Sequence, residues 1–460
     1  MGTNSKEVVI IGAGLTGLSL AYYLKKAGKN VLVIEKNKSI GGVINTKTEA
    51  GFTYETGPST GVLGSLELVE LLEELSSNCQ LQTADKSAEK RYIWKKNRWH
   101  ALPSGLLSAV GTPLFSWYDK FRILGEPFRP KGGYPDESLS ELVVRRLGKS
   151  FLEYAVDPFL SGVYAGDPST LITRFAMPKL YALENNYGGF VRGAIAKRKE
   201  SKKYEAYSQA KKVTREVFSV AGGLKNLIEA LGVEIGVENI ELSCQRVSIE
   251  LVDGKYQITF QNPNGQLQVF YSSTVISTVG ASELPNLLPF VDASKMDHIA
   301  NTTYAPVIQI AVGYTHWTGI PLDAFGGLVS SKDNRKILGV LFPSAIFPNR
   351  APEGGALLSV FMGGMKRSEM LSLSDEQVIE ILLEELKITM KVTSEPDLIR
   401  IHRYQQAIAQ YDIKTEKRLN AIADIETQYP GLLIAGSLRD GIGMADRVKQ
   451  AKQISDLLVK

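Results

Sequence analysis

Three glycines and one acid carry the spacing with the most definite chemistry in this sequence: Gly12, Gly14, Gly17 and Glu35. In a Gly-x-Gly-x-x-Gly turn the first glycine permits the tight bend and the second lets backbone approach a pyrophosphate. The third lets a helix pack closely on a strand. Ala13, Leu15 and Thr16 fill the turn, whose N–H groups open a helix and meet phosphate charge. Glu35, 18 residues past Gly17, is placed to accept hydrogen bonds from a ribose diol. This set predicts a bound dinucleotide. The four histidines (His100, His298, His316, His402) and two cysteines (Cys79, Cys244) fall in no triad, CxxC or metal-ligand pattern. Neither a nucleophile, a metal centre nor a disulfide framework is expected.

The elements that must position these residues are legible on either side of them. An apolar run, Val8 to Ile11, enters the turn, and Leu18, Ala21, Tyr22 and Leu24 follow at helical spacing. Lys25-Lys26-Ala27-Gly28 stops the helix, and a second apolar run, Val31 to Ile34, delivers Glu35. The uncharged stretch 8–24 falls short of the ~20 apolar residues of a membrane span, and glycines interrupt it.

At 460 residues the chain predicts about two or three domains, and its charge of +4 is too mild to argue for nucleic acid. No apolar signal core precedes the first strand, which predicts a cytoplasmic protein. The start also lacks the myristoylation pattern, because Lys6 stands where Ser or Thr is needed. No later stretch reads as a transmembrane helix, so any membrane contact would be peripheral.

Beyond Glu35 and Lys36, paired glycines (Gly41, Gly42) precede Val43, and Gly57-Pro58-Ser59-Thr60 closes a strand-like run. Each alone reads as a loop rather than a ligand site. Together with the opening unit they resemble the amine-oxidase-like flavoprotein superfamily, whose FAD domain is assembled from separated pieces of chain. The remaining pieces follow in order. Gly222-Gly223 precedes an amphipathic helix, Ile240 to Val252 reads as a strand with Val247 near its middle, and Thr274 to Thr278 as a buried strand. Gly431 to Gly436, Ser437 and Ile442-Gly443-Met444 repeat the grammar of strand, glycine turn and helix.

Two insertions separate these pieces. Residues 100–205 are helix-like. One helix there is expected to open at Pro135-Asp136, bury Leu139, Leu142, Val143 and Leu147, and turn Arg145-Arg146 to its other side. Residues 300–365 are strand-rich, and 374–390 resume a helix capped by Ser374. The expected fold class is α/β plus α+β. A Rossmann-like FAD-binding domain is built from 1–80, 205–285 and 415–460, and a mixed-sheet substrate domain from 81–99 and 286–414. A helical, membrane-associating insertion spans 100–204.

The helical insertion narrows the family. YPDESLSELVVRRLG (134–148), then DPFLSGVYAGDP (157–168), Ala176 to Tyr181, and Glu184 with Tyr187-Gly188 resemble the oxygen-dependent protoporphyrinogen oxidases of haem synthesis. Arg91 to Trp94, His100 to Pro103, Leu338 to Phe342, Phe347 to Pro352 and Phe361 to Gly364 extend the resemblance over essentially the whole chain. It implies FAD held by Gly12 to Gly17, Glu35, Lys36, Gly42, Val43, Gly57, Pro58, Ser59, Thr60, Val247, Ser437, Ile442, Gly443 and Met444. It implies a porphyrinogen held by Arg91 at a propionate, the carbonyl of Gly162, Leu328 and Leu341 around one pyrrole, and Phe361 stacked on another. The chain departs from the pattern it resembles at Val43, where the superfamily often carries a basic residue, and at Ser59, where some family members carry Arg.

Such a substrate needs flat apolar walls, a cation or two at the rim and exclusion of water, while flavin supplies the electron acceptor. Each substrate position keeps a plainer reading. Arg91 fits an exposed edge residue, Leu328, Leu341 and Phe361 fit a core, and Gly162 fits a helix C-cap. Nine Lys and Arg between Arg192 and Arg215 face only Glu200 and Glu205, which fits a solvated loop or contact with anionic lipid. The resemblance further implies oxygen as acceptor and a monomer or homodimer. Rival readings are coproporphyrinogen III oxidation within the same family, an amine oxidase or carotenoid desaturase, and a non-catalytic chaperone of prenylated GTPases. A pyridine-nucleotide reductase is disfavoured, because no second Gly-x-Gly-x-x-Gly unit follows mid-chain.

Overall fold

A computed structural model describes residues 5–103, 105–205 and 212–459. Its first sheet is parallel and drawn from the whole length of the chain. In spatial order the strands are Ile240–Glu241, Val31–Ile34, Val8–Ile11, Thr274–Ser277 and Leu432–Ile434. Nearly every side chain in Val8–Ile11, Val31–Ile34 and Thr274–Ser277 is buried, as a sheet covered on both faces requires. Helices Leu15–Lys26, Leu66–Glu74, Lys225–Ile235 and Met444–Val459 share one core with Val8, Ile10, Val31 and Val33. The other face packs Val9, Ile11, Leu32 and Ile34 against the antiparallel sheet Gln245–Val252, Lys255–Gln261, Leu267–Ser272 and against helix Thr415–Gln428.

The second large sheet has seven strands. Their order is Leu398–Ala409, Tyr304–Tyr314, Ala356–Gly363, Ile337–Leu341, Gly326–Val329, Arg91–Lys95 and Arg98–Ala101. One face buries Trp94, Ile308, Ile310, Val312, Val329, Val340, Val360 and Met362 beneath helix Asp375–Thr389. That helix starts at Ser374, whose side chain accepts from the Gln377 N–H in a capping box, as its sequence predicts.

The third element is a set of short helices between residues 106 and 205, with a core of Leu139, Leu142, Val143, Leu160, Leu171, Ala176 and Phe190. Three expectations change here. The helix expected at Pro135-Asp136 opens at Ser138, which caps the Glu141 N–H while Glu141 bonds back. Arg146 is fully buried rather than turned to solvent: it reaches Glu126 and Glu184, at 3.4 and 3.2 Å. Arg145 joins Glu137 and Glu184 at 2.7 and 2.8 Å. The first half of the basic run is a helix, Phe190–Glu205, rather than a loop; residues 206–211 of it lie outside the described residues.

The strand expected from Ile240 to Val252 is also broken. It splits into Ile240–Glu241, which joins the parallel sheet, and Gln245–Val252, which joins the antiparallel one. Ser243 and Arg246 adopt positive φ at the break, and a bulge after Gln245 takes Val247 out of the regular ladder.

Candidate active site

The glycine turn leaves the central strand Val8–Ile11 at its carboxyl end, where open parallel sheets bind ligands. Gly12 has φ +102°, and a Cβ there would lie 2.7 Å from Thr278 Oγ1. A Cβ on Gly17 would lie 2.0 Å from the Gly12 carbonyl, so this glycine seats the helix on the strand. Gly14 differs: nothing within 4 Å would meet its Cβ. That open side is the space a pyrophosphate needs. Ala13, Leu15 and Thr16 are buried and carry the turn into helix Leu15–Lys26.

Glu35 is buried and fixed. One carboxylate oxygen accepts from the Ala13 N–H at 2.8 Å, the other from the Asn37 N–H and side-chain amide at 2.8 and 2.7 Å. Lys36 turns outward to Glu283 at 2.8 Å. The paired-glycine turn closes over Gly14: Gly41 bonds to the Ala13 carbonyl at 2.7 Å, and a Cβ on Gly42 would stand 3.4 Å from Gly14 Cα. Val43 is exposed, and its carbonyl presses on Gly57, where a Cβ would lie 1.9 Å away. The three glycine turns expected to share a ligand are therefore in mutual contact. Pro58 and Thr60 flank Ser59 in the last of them.

Ser59 is turned from that cradle toward the seven-stranded sheet. Its hydroxyl lies 3.2 Å from Ser359 Oγ and 3.5 Å from Gln309 Nε2, and Gln309 also donates to the Glu55 carbonyl at 3.1 Å. Glu55 is buried with Arg350 at 3.0 Å, Thr46 Oγ1 at 2.6 Å and the Leu224 N–H at 3.1 Å. Burial pushes its carboxyl above the usual carboxylate range, and Arg350 opposes that. The signal for Gln309 and Ser359 was a single polar residue inside an apolar strand, which an interior sheet tolerates only with partners.

Arg91, Leu328, Leu341 and Phe361 lie on one face of the seven-stranded sheet. Arg91 pairs with Gly326, Gly326 with Leu341, and Leu341 with Ser359. The next row is Ile93, Leu328, Gly339, Phe361 and Gln309. Directly opposed residues share a face, so this is the face the Ser59 turn touches. Gly339, without a side chain, makes room for Leu328, whose Cδ2 would lie 3.0 Å from a Cβ there. All three apolar residues are half-buried rather than core. Arg91 is exposed, 5.8 Å over the Phe325 ring, and its strand is internal to the sheet, so the edge-residue reading is corrected. Gly162 is corrected too: it sits inside helix Asp157–Val163, whose C-cap is Tyr164. A Cβ there would lie 2.5 Å from Leu328 Cδ2, so it is a close-approach point beside the apolar face.

The loop after Gly162 is held by residues that sequence reasoning missed. Gln410 Nε2 donates to the Tyr164 carbonyl at 3.0 Å, and the Met365 N–H to the Ala165 carbonyl at 2.8 Å. At the closing turn, Gly436 packs on the Thr278 carbonyl, Ser437 is half-buried, and Ile442 packs on the helical core. Gly443 donates to Asp446, and Met444 opens the last helix. Among the described residues no group of three or more His, Cys, Asp or Glu is placed to hold a metal.

The sequence pattern of the flavin-containing amine oxidoreductases matches residues 15–448. The chain belongs to that family. It is thus a flavin-containing oxidoreductase, and the expected FAD is met at the level of the family. The open cradle at Gly14 and the anchored Glu35 fit that cofactor. Protoporphyrinogen oxidase 2, chloroplastic/mitochondrial, of Arabidopsis thaliana is 27% identical across 99% of this chain and 94% of its own length. Coproporphyrinogen III oxidase of Bacillus subtilis is 25% identical across 100% and 99%. A crystal structure from Exiguobacterium sp. shares the fold with TM-score 0.80 at 24% identity, covering 100% of this chain and 99% of that one.

Proposed function

We propose that this flavoenzyme oxidises protoporphyrinogen IX to protoporphyrin IX, with molecular oxygen as acceptor and hydrogen peroxide as by-product. The observation that carries the reading is the half-buried face of Leu328, Gly339, Leu341 and Phe361, rimmed by Arg91 and pressed by Gly162. It offers a flat macrocycle apolar walls and one cation for a carboxylate arm. FAD, when bound, supplies the acceptor for a hydride taken from carbon. The chain's own residues orient the ring and exclude water. Leu114, Phe115 and Tyr154 pack beside Leu328, while Ala165 and Met365 pack beside Phe361.

Oxidation of coproporphyrinogen III is the second reading. At the other end of strand Ile337–Leu341, roughly 13 Å along a strand, a cleft is lined by Arg335, Lys366 and Arg367. Arg335 is matched by Glu385 at 2.8 Å and Lys366 by Asp157 at 2.6 Å, while Arg367 bonds to Asn334. That supports one further carboxylate arm better than a full second pair. Porphyrin fluorescence against time, with both porphyrinogens in air and a no-enzyme control, decides the matter. Faster turnover of protoporphyrinogen supports the first reading; faster turnover of coproporphyrinogen replaces it with the second. Acceleration of neither refutes both.

The same proposal places the enzyme on the cytoplasmic face of a membrane, as a peripheral protein. Helix Trp117–Leu124 has no buried residue, and Trp117, Tyr118, Phe121 and Leu124 stand 63–72% exposed, with Phe128 at 84%. Lys120 and Arg122 interleave them, the composition of an interfacial helix. Among the described residues no helix is long and apolar enough to cross a membrane.

A further inference from the structure

Two guanidiniums lie buried behind the C-terminal glycine turn with only neutral hydrogen-bond partners. Arg418, on helix Thr415–Gln428, is 1% exposed, and Arg447, on helix Met444–Val459, is 7% exposed. Arg418 Nη1 donates to the Gln410 carbonyl at 3.3 Å, while its Nε and Nη2 have no partner among the described residues. Arg447 donates to the carbonyls of Arg439 and Gly441, at 2.8 and 2.7 Å, and to Gln450 Oε1 at 3.4 Å; its Nε has no partner there either. Tyr411 lies between the two. Arg418 stands 5.6 Å from its ring centre, and its hydroxyl accepts from the Gly441 N–H at 2.9 Å.

The nearby acids are engaged elsewhere. Asp412 accepts from Thr303 Oγ1 and the Lys414 N–H, Asp440 from Gln450 and Arg439, and Asp446 from the Gly443 N–H. Burial pulls both arginines below their usual range. Taking a cation out of water without a paired anion is costly, so two on either side of Tyr411 are retained against a standing penalty. Their place in the fold gives the reason. The Gly441–Gly443 turn follows the edge strand Leu432–Ile434 at the carboxyl end of the parallel sheet, the end from which the Gly12–Gly17 turn also leaves its strand. These two turns would hold FAD across that end, and the negative charge that reduction adds to a flavin would fall within the field of the two guanidiniums.

We propose that Arg418 and Arg447 are positioning charges that stabilise the reduced flavin through the Tyr411–Gly441 contact, and so raise its reduction potential. The proposal rests on the flavin lying against the C-terminal turn and is independent of which porphyrinogen, if any, is the substrate. The test uses the FAD-loaded protein without substrate, titrated reductively beside a reference dye. Arg418→Met and Arg447→Met should each shift the oxidised-to-reduced balance about tenfold toward oxidised flavin, equivalent to ~30 mV for this two-electron couple. Arg418→Lys and Arg447→Lys should recover most of that shift. Unchanged potentials in FAD-loaded Met variants overturn the proposal, as does an equal loss in the Met and Lys variants. Should a Met variant fail to fold, Arg418→Gln or Arg447→Gln takes its place, and an unchanged potential in the FAD-loaded Gln variant overturns the proposal.

Discussion

Gly14 and Gly17 are the same residue put to opposite uses. Gly14 faces open space and has φ −74°, which other residues adopt, whereas Gly17 is closed by the Gly12 carbonyl. Gly14→Val should therefore keep its melting temperature as apoprotein yet lose FAD affinity by more than tenfold, measured by flavin fluorescence titration. Gly17→Ala should instead lose about 1–3 kcal/mol of stability by overpacking. Arg91 is exposed and without an ion-pair partner among the described residues, so only its contact over the Phe325 ring could confound a kinetic test. Arg91→Ala should raise KM about tenfold with little change in kcat, the value of one charge-assisted hydrogen bond made equally in ground and transition states. The glycines and Glu35 were legible because each meets a backbone requirement that leaves its mark locally. The Ser59 hydroxyl meets the seven-stranded sheet at Ser359, a contact that no local pattern announces. Its partner Ser359 is 300 residues away, and only cross-strand register brings them together.

At the scale of elements, the sequence marks where helices start better than how charged residues are spent. Ser374 was found as a cap, whereas Pro135-Asp136 drew attention from Ser138, the residue with the acid three places on. Arg145-Arg146 looked like a polar helix face because periodicity records polarity without recording its partners. Here Glu126, Glu137 and Glu184 converge from three separate segments. Burial raises the Glu184 carboxyl, but Arg145 and Arg146 outweigh it and the net shift is downward. A depressed folded-state pKa adds stability above the unfolded value near 4.5 and forfeits it as pH falls through the lower folded value. The helical insertion should thus loosen on acidification below about pH 4.5, before the parallel sheet does, as hydrogen exchange of residues 139–146 would report. Glu184→Gln should remove that acid transition and cost about 3 kcal/mol at neutral pH, since it leaves the buried Arg146 guanidinium undercompensated. Hydrogen exchange that is insensitive to pH in this region would contradict the assignment.

For the molecule as a whole, the aromatic helix and the site lie on one connected unit. Leu114 and Phe115, just before helix Trp117–Leu124, belong to the cluster that packs Ile93 and Leu328. Trp117→Ser with Phe121→Ser should cut co-sedimentation with anionic vesicles at low salt several-fold, while leaving turnover of detergent-solubilised substrate unchanged; equal sedimentation would remove membrane docking from this helix. The segmental architecture was legible because each returning piece repeats strand, glycine turn and helix. What composition could not convey was which distant strands become neighbours. Thr274–Ser277 lies between the strand that begins the chain's order and the one that nearly ends it. This has a consequence for birth on the ribosome. Translation at about 5–20 residues per second separates Val8–Ile11 from Leu432–Ile434 by roughly 20 to 90 seconds. Throughout that interval helix Leu15–Lys26 lacks its cover, helix Met444–Val459, and its apolar side is open to chaperones and to neighbouring nascent chains.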